Sequence, residues 1–399
     1  MTAKRLRYLV RDRGNIAIIT ALLMPVMLGF AALTVDTGIL EVALAQMGTA
    51  ADAGALAGAM QIAGEWRIAN PSNTTRIFTN ADLSAQALAE ANSILGSAAV
   101  VDSNSQNATT GDVVVGYLDP TNPSGSTLQT SSTYASYYNS VQVTIHRDTT
   151  HTGPVPLFFA NIFSMVGSGA GFSSANLAAS ATATAYNYQI AGASSASGQN
   201  SSMLPIVLDQ STYNSMIARS TSDAYSYDPT TGAVSSGSDG LYESSIFPVG
   251  TSPGNWGTVK IGVSNNSTCT LAAQIQYGVT AAELATYPGG VLQLDNANTP
   301  PSIQLGGNPG ISAGIASAVN SVIGKAVTIP IYNSSGGNGN NAWYNVVQFA
   351  AVRIMDSNFR GNPKYIVVQP AVVNDTTLVK GSVQSGWSQI GILEVHLTR

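Results

Sequence analysis

The sequence is short of charge, of histidine and of cysteine. Only 9% of its 399 residues are charged, 16 Lys+Arg against 21 Asp+Glu, far below the roughly 25% of an ordinary soluble domain. Positive charge is not spread along the chain, which excludes a basic nucleic-acid surface. The single cysteine, Cys269, excludes an internal disulfide and a thiolate metal cage. The three histidines are His146, His151 and His396. No His-Glu-x-x-His occurs, and His146 and His151 lack the i, i+4 spacing of a helical zinc site. His146 and His396 fall on the polar phase of strand-like runs and read as solvated. A phosphate loop and a dinucleotide fingerprint are missing too. Against these absences stand 44% hydrophobic residues and 39 Gly. The first excludes wholesale disorder. The second, with abundant Ser, Thr, Asn and Gln, points to uncharged, turn-rich β structure outside the cytoplasm.

The scarce charge is unevenly placed. Lys4, Arg5, Arg7, Arg11 and Arg13, with Asp12, give the first 13 residues +5 - 1 = +4, leaving -5 - 4 = -9 for the remainder. Gly14 to Val35 then carries no charge. Residues 15–35 as a helix reach about 32 Å, against a hydrocarbon core of about 30 Å. Ten of them are Ile, Leu, Val or Phe, and their summed insertion energy outweighs Asn15, Thr20 and Thr34. Pro25 sits mid-span, where a membrane helix tolerates it better than a soluble one. The basic cluster, with Arg11 and Arg13 nearest the span, puts residues 1–14 in the cytoplasm and the bulk of the chain outside. Ala43-Leu44-Ala45 has the small-x-small look of a signal-cleavage site. The apolar run is too long for a signal peptide, however, and Asp36 and Glu41 intervene. The expectation is an uncleaved single span over 15–35.

Residues 36–66 are Ala-rich and free of proline, and read as a helical stem. Gly54 and Gly58 have the small-xxx-small spacing that lets backbones approach closely. Two partners for that face are open: the protein's own globular part, or a second copy in a homo-oligomer.

Residues 13–60 resemble the N-terminal module of TadG-like proteins in the Tad/Flp pilus-assembly TadE/G-like family. The resemblance is carried by Arg13-Gly14-Asn15 opening the span, Pro25 in its middle and Val35-Asp36-x-Gly38 at its exit. The run from Ala50 through Asp52, Gly54 and Gly58 to Ala59 completes it. VQVTIHR, PVPLFFANIF and SATATAY, between Val141 and Tyr186, add a softer likeness. The resemblance implies a bitopic envelope protein that works with other pilus-assembly components. Prepilin-like relatives carry a glutamate at the fifth mature position, where this chain has Ile19. Some TadG-like proteins add a von Willebrand factor type A domain with an Asp-x-Ser-x-Ser metal motif. Here Asp209 and Ser211 are present, but Tyr213 replaces the second Ser. Half a motif supplies too few oxygens for a hard cation, so the stretch reads as a strand ending in an Asp/Ser turn.

Beyond the stem, residues 67–190 read as a first α+β domain. It has a helix over 81–96 capped by Asn80, with Leu83, Leu88 and Leu95 on its apolar face. Strands follow at GDVVVGYLD and SVQVTIHRD, where Val141, Val143 and Ile145 alternate with polar residues. PVPLFFANIFSM is too short for a second span. Residues 191–203 read as a Gly/Ser linker, and 204–399 as a second, β-rich domain. The fold class expected is therefore α+β, β-dominated, behind one transmembrane helix. Gly-x-Ser-x-Gly occurs around Ser252 and Ser312, neither in the strand-turn-helix setting of a nucleophile elbow. Cys269 reads as a buried structural thiol, and Asp223, Asp228, Asp239 and Glu243 as a solvated loop.

These observations lead to a membrane-anchored, non-enzymatic structural component of a Tad/Flp-type pilus assembly or surface adhesion apparatus. It is expected in the bacterial inner membrane, contacting lipid through residues 15–35. No catalytic, cofactor-binding or metal residue is assigned. Two alternatives carry named residues: a metal-dependent adhesin using Asp209 and Ser211, and a secreted hydrolase using Ser312.

Overall fold

The computed structural model describes residues 3–158, 160, 173–246, 257–310, 312–361 and 363–398, and their side chains except those of 3–15, 25 and 340. The architecture is α+β, as the sequence indicates. One helix, α1 (Ala3–Ile62), takes in the span and nearly all of the stem without a break. It ends where Ala63 and Gly64 leave the helical path before the short turn Trp66–Ala69.

A second long helix, α2 (Thr74–Glu90), lies against the stem. It starts earlier than expected because Asn73, not Asn80, is the cap, its side chain accepting the Arg76 N–H at 3.0 Å. Its buried face is also different: Ile77, Ala81, Ala85 and Ala89 point inward, while Leu83 and Leu88 are 61% and 47% exposed. The reason is size. The facing stem offers Ala and Gly, and only small residues let two helices approach that closely.

Among the described residues three two-stranded ribbons stand apart, and thirteen strands join one sheet. In chain order they are β1 (Val113–Gly116), β2 (Ser140–Arg147), β3 (Leu177–Ser194), β4 (Ile206–Asp209), β5 (Ser244–Ile246), β6 (Gly257–Val259) and β7 (Val291–Gln293), then β8 (Ile303–Pro309), β9 (Ala326–Gly336), β10 (Ala342–Asn358), β11 (Tyr365–Pro370), β12 (Leu378–Gln384) and β13 (Ile392–Leu397). The main path runs β8-β6-β4-β9-β10-β3-β2-β1, and β8 also pairs with β10, closing five strands into a ring. Every pairing is antiparallel except β4 with β9.

The long strand β3 stitches the two halves together. Its first part pairs with β2 from Leu177 to Thr184 and with β13 from Ala183 to Tyr188. Its last part pairs with β12, β7 and β10. Residues 191–194, expected to be linker, are thus strand. Beyond them Ser201 and Met203 bridge to Val279 and Thr328, and the Met203 side chain is fully buried. Small residues here serve close strand approach: a Cβ on Gly192 would lie 1.9 Å from the Leu292 carbonyl oxygen.

One core unites the stem, α2 and strands β1 to β3, with Met47, Ala51, Ile62, Ile77, Val141, Val143 and Ile145 all fully buried. Two more cores fill the second half, one of them inside the strand ring. Where the halves meet, Glu65 accepts both Arg353 Nη2 contacts, at 3.0 and 2.8 Å. Arg67 is fully buried, donating from Nη1 to the carbonyls of Ile62 and Tyr138 and lying 4.9 Å from the Trp387 ring.

Candidate functional site at the foot of the stem

Helix α1 changes surroundings along its length. From Ile16 to Val35 the described large apolar side chains are exposed, Leu22, Met27 and Phe30 among the most so. This is a stretch long and apolar enough to cross a membrane, with none of it buried inside the protein. The Thr34 hydroxyl donates to the Phe30 carbonyl at 2.9 Å, so it is satisfied within the helix. From Ala43 onward one face is closed: Ala43, Met47, Ala50, Ala51, Ala55, Ala59 and Ile62 are inaccessible. The backbone of Arg11 and Arg13 is helical, and their side chains are outside the described ones.

The Gly54/Gly58 face is occupied by the protein itself. A Cβ on Gly54 would lie 3.0 Å from the Ala85 carbonyl oxygen and 3.3 Å from Val143 Cγ1. On Gly58 it would meet Val141 Cγ1 at 2.9 Å and the Ala81 carbonyl oxygen at 3.2 Å. Of the two partners the sequence left open, the globular part holds this face, and α2 and β2 supply the contacts.

Between bare span and packed stem stands Asp36. It is only 2% exposed, an unusual position for a carboxylate unless it is hydrogen-bonded. Its Oδ1 accepts the Phe158 N–H at 3.0 Å and its Oδ2 accepts the Ala160 N–H at 2.6 Å. Charge-assisted bonds of this kind are roughly twice as strong as neutral ones. Asp36 therefore pins the apolar segment after β2 to the exit of the span. Phe158 itself is exposed there. The segment's later residues, 161–172, are outside the described set. Sequence alone marked Asp36 only as a signature position; its partners are 122 and 124 residues away and no local pattern announces them.

The residues of the alternative readings occupy ordinary structural posts. Asp209 caps the helix α3 (Gln210–Ile217), its Oδ2 accepting the N–H groups of Ser211 and Thr212 at 2.9 and 3.1 Å and the Ser211 hydroxyl. Tyr213 turns inward and donates to Gln389 Oε1 at 3.0 Å; burial pushes its hydroxyl well above the usual range. The Ser312 hydroxyl lies 3.1 Å from that of Thr268 and accepts the Gly314 N–H. No histidine is among its described partners. Ser252 is outside the described residues.

Three expectations are corrected. Cys269, read as buried, is exposed on the helix Thr268–Tyr277. Asp228 is exposed as expected, but the other carboxylates of the Ser/Tyr/Gly stretch staple it together. Buried Glu243 accepts the Ala224 and Tyr225 N–H groups, and Asp223 accepts those of Asp239 and Gly240. Backbone donors in a turn-rich stretch need acceptors, which is why these acids face inward. Lastly, His146 and His151 come together after all, their ring centres 5.2 Å apart, beside Asp102 and Asp112. Only His396, paired with Glu394 at 3.2 Å, is as exposed as expected.

Comparison with known proteins agrees with this geometry. Residues 14–61, the span and stem, match the family model for putative Flp pilus-assembly TadE/G-like proteins. Residues 57–185, from the stem through the first half of β3, match that for putative Tad-like Flp pilus assembly. No curated protein and no solved structure matches the chain. The chain is thus a component related to pilus assembly. The two matches overlap over residues 57–61 and are consistent with a TadG-like protein.

Proposed function

We propose that the protein is a single-pass inner-membrane anchor for Tad/Flp pilus assembly, or a related surface adhesion apparatus, acting as a structural component and not as an enzyme. In this reading residues 1–14 lie in the cytoplasm, α1 crosses the lipid and the sheet stands outside the cytoplasm. Its partners are lipid and other pilus-assembly components. Any pairing of copies through the stem must use the side away from Gly54 and Gly58, where Val42 is exposed. The observation that carries the proposal is the continuity of α1. One unbroken helix joins an unburied apolar stretch of membrane length to a stem sealed into the globular part.

Two measurements test it. Alkaline phosphatase fused after Arg399 should be active, as the basic cluster before the span demands; an inactive fusion in a stably expressed chain would reverse the orientation. Deleting the chain should abolish or sharply reduce surface pili, with restoration by the wild-type gene. Normal piliation in the deletion strain would refute the assembly role.

A further inference from the structure

The loop after α2 and the loop after β2 converge on a cluster that local sequence spacing concealed. Asp102 and Asp112 come from the first, Asp148 and His151 from the second, and His146 from the end of β2 itself. His151 Nε2 lies 3.3 Å from Asp102 Oδ2 and 3.6 Å from Asp112 Oδ2. His146 Nε2 lies 3.6 Å from Asp112 Oδ1. One ligand atom each from Asp102, Asp112 and His151 falls within 4.8 Å of the others. These are the spacings a tetrahedral ion requires, since bonds of about 2.0–2.1 Å place neighbouring ligands roughly 3.3 Å apart.

A second, independent feature points the same way. His151 Nε2 is buried and finds no hydrogen-bond partner among the described residues, although it is aimed between two carboxylates. Its other nitrogen is occupied: Nδ1 lies 2.9 Å from Asp148 Oδ1. Asp148 also accepts the Thr150 hydroxyl at 2.7 Å and the N–H groups of Thr150 and His151. These bonds hold the Asp148 carboxylate in place against the Nδ1 side of the ring. A carboxylate on one imidazole nitrogen, with the other nitrogen turned toward the cation position, is the outer-shell arrangement of metal-binding histidines.

The donors are also held in place before any ion arrives. Asp112 accepts the Asp102 N–H at 2.8 Å. Asn104 bonds to both backbone groups of Ala108, and Asn107 to both of Val115. Asp82 anchors Ser103 and Asn104. Asp102 alone has an exposed side chain, 74% accessible, which leaves an entry path.

We infer that Asp102, Asp112 and His151 supply three ligands to a binding site for a first-row divalent cation of the zinc type. Imidazole nitrogen favours such an ion over calcium or magnesium. Its place in the fold suggests what it braces. Val141 and Val143 of β2 touch the positions of Gly58 and Gly54, so β2 runs down the stem toward the membrane. The site lies just past its lower end, before the segment that reaches Asp36. A bound ion would tie the two loops together immediately above that latch.

The test uses the full chain without an affinity tag, purified in detergent, stripped with chelator and titrated with zinc alone. Cobalt(II) serves as a spectroscopic stand-in. One equivalent should bind, with a visible absorption characteristic of nitrogen and oxygen ligands, and should raise the melting temperature. His151→Gln and Asp102→Asn should each weaken binding at least about tenfold, and His396→Asn should leave it unchanged. Because Asp102 is exposed, Asp102→Asn should melt like the wild type when no metal is present. No stoichiometric uptake, affinity untouched by Asp102→Asn, or affinity lost with His396 would each overturn the site.

Discussion

Asp36 stands between the exposed apolar stretch of α1 and the packed stem, and its two oxygens serve the protein side. Water at this position would solvate the carboxylate without help; buried, it needs the Phe158 and Ala160 N–H groups. Replacing it by Ala strands both donors, at about 1–3 kcal/mol for each left unmet. The expected outcome for Asp36→Ala is faster hydrogen exchange and protease cleavage around residues 154–160, with membrane insertion unaltered. Protection equal to the wild type would show that the latch holds nothing. Asp36→Asn should fall between the two, since it keeps one acceptor and loses the charge.

At the scale of elements, the pairing of α1 with α2 turns on side-chain size. Ala81, Ala85 and Ala89 face Gly54 and Gly58, while Leu83 and Leu88 look outward. Ala85→Leu or Gly58→Leu should therefore destabilise by about 1–3 kcal/mol through overpacking. Leu83→Lys with Leu88→Lys should stay within about 0.5 kcal/mol. Gly29→Leu offers a control, because a Cβ there meets nothing within 4 Å. Thermal unfolding in detergent, followed through buried Trp387, measures all three. The same contrast explains which elements were legible. Strand β2 could be read because Val141, Val143 and Ile145 alternate with Gln142, Thr144 and His146, and one buried face dictates that pattern. Helix α2 was found but turned the wrong way, since periodicity ranks Leu above Ala and is blind to a glycine-lined partner. The Asp102, Asp112 and His151 cluster could not be read at all. Its members come from separate loops, and only the pairing of β1 with β2 brings those loops side by side.

For the molecule as a whole, the Gly/Ser stretch before β4 is a seam and not a hinge. Asp375 closes it, accepting the Ser202 N–H at 2.6 Å, the Ser202 hydroxyl at 2.7 Å and the Thr377 N–H at 2.8 Å. Burial alone would raise this carboxyl, but bonds from Thr377 and Ser202 outweigh it and leave it below its ordinary value of 3.8. A depressed carboxylate adds stability that is complete above the ordinary value and disappears as pH falls through the lowered one. Wild type should therefore melt higher than Asp375→Asn at neutral pH, with the gap shrinking below about pH 4. A gap constant down to the lowest measurable pH would mean that Asp375 acts without its charge.

The unbroken course of α1 has a mechanical meaning. Val35, where the uncharged apolar run ends, and Ala43, the first apolar residue sealed into the core, are eight residues apart, about 12 Å of helix. No glycine pair, proline or loop interrupts that interval, and Asp36 clamps its lower end. A mast stepped this way has no swivel at the deck. In the proposed membrane-anchored arrangement, force applied to the sheet would be delivered to the bilayer as a change in helix tilt, and leaning the span would in turn swing the whole sheet.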